Sequence, residues 1–147
     1  MAYNYMQGFF RPKNPKKYEG DPTKIIYRSG WELKAFMWCD TSPSVKSWSS
    51  EEVVVPYISP ADHRYHRYFI DLKVRTAQDK VILIEIKPHA QTIPPVVKQG
   101  KKPTKRLLRE MMEYSVNQAK WASAQDYAEN RGWTFKVLTE YELGIKA

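Results

Sequence analysis

The sequence has one cysteine, Cys39, so no internal disulfide can form and the fold must be held by its core. Cys39 closes the apolar run "WELKAFMWC" and reads as a buried structural thiol, at home in a reducing compartment. No stretch reaches the roughly 18 apolar residues needed to cross a bilayer. The start, "MAYNYMQGFFRPKNPKK", lacks the apolar centre of a secretory signal, so a soluble, cytoplasmic chain is expected. Zinc ligands are also short: His63 and His66, three apart in an expected strand, point to opposite faces, and the cysteine is far away. Acids are outnumbered, 16 against 24 Lys and Arg, for a net charge of +8. That balance favours a polyanion as partner, nucleic acid before an anionic membrane. With 147 residues, no internal repeat and no break in composition, one domain spanning 1–147 is expected.

What is present falls into a clear order. Residues 1–28 are rich in Pro, Lys and aromatics and read as a basic, extended N-terminal arm. "SGWELKAFMWCD" follows, with Ser29 as N-cap of a short first helix that "TSPS" ends. Three strand candidates, 51–58, 64–76 and 80–87, are rich in β-branched and aromatic residues and close enough to form a meander. "PHAQTIPPVVKQGKKPTK" is Pro-rich, basic and without period. From Thr104 to Asn130 the spacing turns helical through Leu107, Leu108, Met111, Ser115, Ala119 and Ala122, and Gly132 stops the helix. "WTFKVLTE" alternates as a last strand. The expectation is an α/β fold, order α-β-β-β-α-β, with a central mixed sheet of about four strands flanked by helices.

The chemistry centres on "VILIEIKPHA", residues 81–90. In a strand, Ile82, Ile84 and Ile86 share one face while Val81, Leu83, Glu85 and Lys87 share the other. Both faces begin apolar, as in a central strand covered on both sides, so Glu85 falls at the edge of a buried layer and needs a partner. A hairpin turn centred on Gln78 sets Val74 opposite Ile82, Leu72 opposite Ile84 and Ile70 opposite Ile86. The same register sets Asp71 opposite Glu85, with Cβ atoms roughly 5 Å apart. Two such carboxylates repel unless a cation lies between them, and oxygen donors suit Mg²⁺ or Mn²⁺. Lys87, on the face of Glu85, is placed to hold a water or to neutralise charge developing on a phosphate.

Asp71, thirteen intervening residues and then "EIK" resemble the active site of the PD-(D/E)XK nuclease superfamily, and the element order resembles its restriction-endonuclease-like core. "YRSGWE" resembles the first-helix motif that brings a Glu to the metal site, which implies Glu32. "HRYFIDLKV" and "ILIEIKP" are similar to the Tn7-type transposon endonuclease N-terminal domain, and closer to head-completion nucleases of tailed phages, over roughly residues 25–140. One departure is Ile70, where the family has Pro before the metal-binding Asp. The resemblance implies Asp71, Glu85 and the Ile86 carbonyl as metal ligands, Glu32 assisting and Lys87 as the catalytic lysine. A second helix often points a polar residue at the site, and "VNQAKWA" resembles it. Helical geometry clusters Gln118 with Ser115, Ala119 and Ala122, so Gln118 is favoured there over Lys120.

Plainer readings stand beside these. Ser29 and Glu32 fit a capping box, and Asp71, Glu85 and Lys87 fit the polar edge of a hairpin with Glu85 paired to Lys73 or Lys87. Arg28, the segment of His63, Arg64 and Arg67, and the run with Lys98, Lys101, Lys102, Lys105 and Arg106 are candidate contacts to a double-stranded DNA backbone, or solvated surface. The expected protein is a Mg²⁺- or Mn²⁺-dependent DNA nuclease that processes the end of packaged phage DNA. Portal or head-tail connector proteins are the implied partners, and the implied location is the host cytoplasm during assembly and then the virion. The rivals are a non-cleaving DNA-binding or head-plug protein on the same fold and a transposase-type endonuclease subunit.

Overall fold

The computed structural model describes residues 6–145. The elements run β1 (Gly8–Phe9), β2 (Ile26–Tyr27), α1 (Gly30–Thr41), β3 (Val45–Ser49), β4 (Val54–Ile58), β5 (Tyr65–Phe69), β6 (Leu72–Thr76), β7 (Val81–Ile86), α2 (Lys105–Asn130), β8 (Thr134–Leu138) and α3 (Glu140–Leu143). The centre is a mixed four-stranded sheet in the order β3-β6-β7-β8. β7 and β8 are parallel, and the other two pairs are antiparallel. A parallel neighbour requires a crossover, which α2 supplies. The helices flank the sheet in the expected α/β arrangement. No described helix is long and apolar enough to cross a membrane.

β7 carries a core on each face, because its side chains alternate between two apolar layers. Ile84 and Ile86 join Trp31, Phe36, Cys39, Trp48, Leu72 and Val74 on the side of α1. Leu83 joins Val55, Tyr57, Tyr68, Ile70, Ala124, Ala128 and Phe135 on the side of α2. The register matches the expected hairpin at Leu72↔Ile84 and Val74↔Ile82. Cys39 has no exposed surface.

Three expectations need correction. The strand run 51–58 does not enter the central sheet: Val54–Ile58 pairs with Tyr65–Phe69 in a separate two-stranded ribbon. Pro56 lacks an N–H to donate, and an edge position in a ribbon tolerates that. The place beside β6 is taken by β3, "VKSWS", whose register shift between Val45 and Ser47 breaks the two-residue alternation that would have advertised a strand. The run 64–76 is split at Ile70 and Asp71, because Ile70 donates to the Val53 carbonyl (3.0 Å) and accepts from the Glu51 amide (3.1 Å). Ile70 is therefore not paired with Ile86.

The third correction concerns the N-terminal segment. Residues 1–5 lie outside the described part, but from residue 6 the segment folds onto the body instead of extending from it. Phe10, Tyr18 and Ile25 are buried. Phe10 and Tyr18 meet Trp48 edge-on at centroid distances of 5.8 and 4.8 Å. The buried Asp40 carboxylate accepts from the amides of Lys13 (2.8 Å) and Asn14 (3.0 Å). Three aromatic or aliphatic anchors and a satisfied carboxylate outweigh the local Pro and Lys content.

Candidate active site

The break between β5 and β6 builds the site. It turns Asp71 towards the end of β7, where Asp71 Oδ2 accepts from the Ile86 amide at 2.8 Å. Asp71 is half-buried, and the protein around its carboxyl group removes most of its hydration. Burial pushes the Asp71 pKa well above the usual carboxylate range, and the Glu85 charge pushes it further. Glu85 is buried, and burial raises its pKa too, while Lys87, Tyr68 and Lys120 oppose the rise. Lys87 Nζ lies 3.7 Å from Glu85 Oε1, and the Tyr68 hydroxyl donates to Glu85 Oε2. Two acids thus share a poorly hydrated corner at the end of the central strand.

Glu32 enters from the first turn of α1. Ser29 Oγ caps the helix by accepting from the Glu32 amide at 3.1 Å. The return bond goes one residue further back than in a capping box: Glu32 Oε1 accepts from the Arg28 amide at 3.2 Å. Glu32 is buried, its pKa is raised mainly by burial, and its charge is felt by Asp71. It caps the backbone and also faces the acidic corner.

The second helix differs from expectation in its rotation. Of the expected inward cluster only Ala119 packs against the core, while Ser115, Gln118 and Ala122 are exposed and Val116, Lys120, Ala124 and Ala128 form an inward row at intervals of four. Gln118 is thus directed away from the acids. Lys120 instead lies over the rings of Tyr57 and Tyr68, at 5.8 and 5.5 Å, and its charge reaches Glu85. A cleft of about 300 Å³ joins Lys87 to Lys120, with Gln91, Val116 and Asn117 between them. Ala124 and Ala128 stand in one row with Lys120, but Ala119 and Ala122 mark rival rows in the sequence, so residue order alone did not single Lys120 out. Tyr68 was not singled out either, because its face depends on how the ribbon curls over α2.

The candidate backbone contacts lie on several separate segments. Arg28 is engaged by Glu51, at 2.9 and 3.2 Å. His63 sits at the ribbon tip with φ 58°, Arg64 and Arg67 are exposed beside it, and Arg67 lies over the Phe69 ring at 5.5 Å. His66 contacts Asp62 at 2.8 Å. Lys98, Lys101 and Lys102 are exposed in the loop before α2, and Lys105 and Arg106 stand in its first turn, which holds no acid. Bases there oppose the helix dipole, so an anion near this end is favoured.

Among the described residues no three His, Cys, Asp or Glu side chains come together closely enough to hold an ion alone. The donors that do converge are carboxylate oxygens. Mg²⁺ is commonly held by one or two carboxylates, with water and substrate phosphate filling its shell, so the pair Asp71 and Glu85 fits such an ion.

Comparison with known proteins agrees with this architecture. The family described as TnsA-like endonuclease N terminal matches residues 42–140. The chain is also 44% identical over 143 residues, 95% of its length and 93% of the relative's, to the "Head completion nuclease" of Enterobacteria phage T4. No solved structure matches significantly.

Proposed function

The chain belongs to the phage head-completion nuclease family, with a TnsA-like endonuclease core of the PD-(D/E)XK type, and from that premise we propose that it hydrolyses DNA phosphodiester bonds with Asp71, Glu85 and Lys87 as the catalytic set. The observation that carries the proposal is the corner where Asp71 and Glu85, both poorly hydrated, sit with Lys87 Nζ 3.7 Å from Glu85. A structural DNA binder gains nothing from that pairing, which costs stability without a cation.

Asp71, Glu85 and the Ile86 carbonyl would hold Mg²⁺ or Mn²⁺, with Glu32 assisting directly or through water. A bound divalent ion supplies Lewis-acid stabilisation of the phosphate charge and lowers the pKa of water. The protein's own groups do the positioning. Lys87 orients the attacking water and neutralises charge on the phosphate, while the Asp71 contact to the Ile86 amide fixes the carboxyl group. Tyr68 fixes one oxygen of Glu85 and leaves the other towards Lys87. Lys120 adds positive potential on the α2 side. Arg64, Arg67, Lys98, Lys101, Lys102, Lys105 and Arg106 approach the duplex backbone, which makes binding tolerant of sequence and steeply dependent on salt.

The relative's name joins a nuclease to head completion, and on our reading the substrate of this chain is DNA at a phage head. On this reading the protein works in the host cytoplasm during assembly, at the portal vertex, against portal or connector proteins. The test is cleavage of linear and supercoiled duplex with Mg²⁺, Mn²⁺ or EDTA, using the native protein, Asp71→Ala and Lys87→Ala. Metal-dependent products lost in both variants support the proposal. Salt-sensitive binding without cleavage by the native protein would return the chain to the head-plug reading.

A further inference from the structure

The β4–β5 ribbon has two unlike faces. Its register pairs Val54 with Phe69, Pro56 with Arg67 and Ile58 with Tyr65, and these six side chains share the outer face because strand neighbours two apart point the same way. The inner face carries Val55, Tyr57 and Tyr68, buried in the core shared with α2. The outer face is open: Tyr65 is 77% exposed, Ile58 52% and Phe69 45%, and Arg67 lies over the Phe69 ring. An apolar face of this extent on a strongly basic chain calls for an occupant.

Its place in the chain narrows the choice. β5 ends two residues before Asp71, so at about 3.3 Å per residue Phe69 lies within roughly 7 Å and Tyr65 within roughly 20 Å of the catalytic residue along the chain. That span is the length of a few nucleotides. Among the aromatics stands Arg67, with His63 and Arg64 at the adjoining tip, where the acid Asp62 is taken up by His66 on the other face. Flat rings with adjoining guanidinium groups are what unpaired bases stack on. A duplex backbone is met by cations and base edges in a groove by hydrogen-bonding groups, whereas four of the six outer-face side chains, Val54, Pro56, Ile58 and Phe69, offer neither.

We infer that the outer face of the ribbon, centred on Tyr65 and Phe69, is a stacking platform for unpaired bases adjoining the bond to be cut. The substrate class is then DNA with a frayed or single-stranded end, or a displaced strand, in preference to fully paired duplex. This inference rests on the nuclease reading for the site itself, but binding in EDTA tests it independently of cleavage.

The measurement is affinity by fluorescence anisotropy, in EDTA, for a blunt duplex and for the same duplex with a three-nucleotide unpaired tail carrying 2-aminopurine. The native protein is expected to prefer the tailed DNA and to quench the 2-aminopurine by stacking. Tyr65→Ala and Phe69→Ala each lower that preference on the order of tenfold, and Tyr65→Phe restores it because the ring remains. Tyr65 is so exposed that its replacement leaves the fold intact, which circular dichroism verifies. Equal affinity of the native protein for both DNAs, or a preference and quenching that survive the Ala variants, would overturn the platform. So would normal tailed-DNA binding by variants that fail to complete heads, which would assign the face to a protein partner. Absence of metal-dependent cleavage by the native protein would strike the nuclease reading alone.

Discussion

The two faces of the central sheet are built from different materials. On the α1 side, Phe10, Phe36 and Trp48 pack ring against ring, with Phe36 and Trp48 fully buried. On the α2 side the helix contributes only Ala124 and Ala128 as fully buried residues, and the layer also contains Tyr68 beside Glu85 and Lys120. Dense aromatic packing stabilises, whereas desolvated acids destabilise. The α1 face therefore carries the stability that permits a desolvated, charged corner at the edge of the other face.

That contrast breaks if mutations on the two faces act alike. The largest expected effect is Asp71→Asn, which lowers cleavage by about 10³-fold or more and raises metal-free stability by about 1 kcal/mol, because one of two repelling acids is gone. Gel cleavage and urea melts in EDTA check the two halves. The pH dependence has a definite sign. The Asp71 and Glu85 pKa values are raised in the folded protein, so the fold binds protons more tightly than the unfolded chain. Metal-free stability rises as pH falls through their raised folded values and is lost as pH rises above them; the gain is smaller in Asp71→Asn.

Next comes Phe36→Ala, which loses about 3–5 kcal/mol of stability to a cavity in the aromatic face. Activity per folded molecule stays within about twofold, read by cleavage at a temperature well below the melt. A smaller effect separates the two candidates on α2. Lys120→Ala lowers kcat on the order of tenfold by removing a charge that faces Glu85. Gln118→Ala leaves kcat unchanged and stability within about 0.5 kcal/mol. Equal losses from both would mean that the helix is rotated from the position described.

The smallest effect lies again on the α1 face. Burial pushes the Cys39 thiol up to about 12 from its ordinary value near 9, so the folded protein holds no thiolate at pH 8. A disulfide reagent such as DTNB should leave Cys39 unmodified until urea unfolds the chain. Because the folded value is the higher one, this group's contribution is intact below about pH 9 and is lost as pH rises towards 12. Prompt reaction in native buffer would show that the aromatic face opens locally.

Much of this was legible in residue order alone. The turn chemistry around Gln78 and the matching apolar faces of 72–74 and 82–84 fix the β6–β7 register, because a slip of one residue would bury charges. That register carries Asp71 to the end of β7 that holds Glu85, and the break before β6 sets its final direction. The helix bounds followed from Thr104, which accepts from the Leu107 amide, and from Gly132 at φ 73°. Contacts made across long separations were not legible. β3 is a strand only because Trp48 finds Phe36, Phe10 and Tyr18, and its bulge erases the alternation that local reading depends on.

The inward row of α2 could not be fixed locally because the helix is sparsely buried and several stripes look alike in sequence. Local pattern determined the β6–β7 hairpin and its register, since side-chain period and turn geometry act over a few residues. Only the tertiary structure decided that the N-terminal segment closes the aromatic core, that Lys120 and Tyr68 face Glu85, and that the ribbon leaves a ring-bearing face open. Each of those depends on how separate elements curl and pack, and burial energy is set by partners distant in the chain.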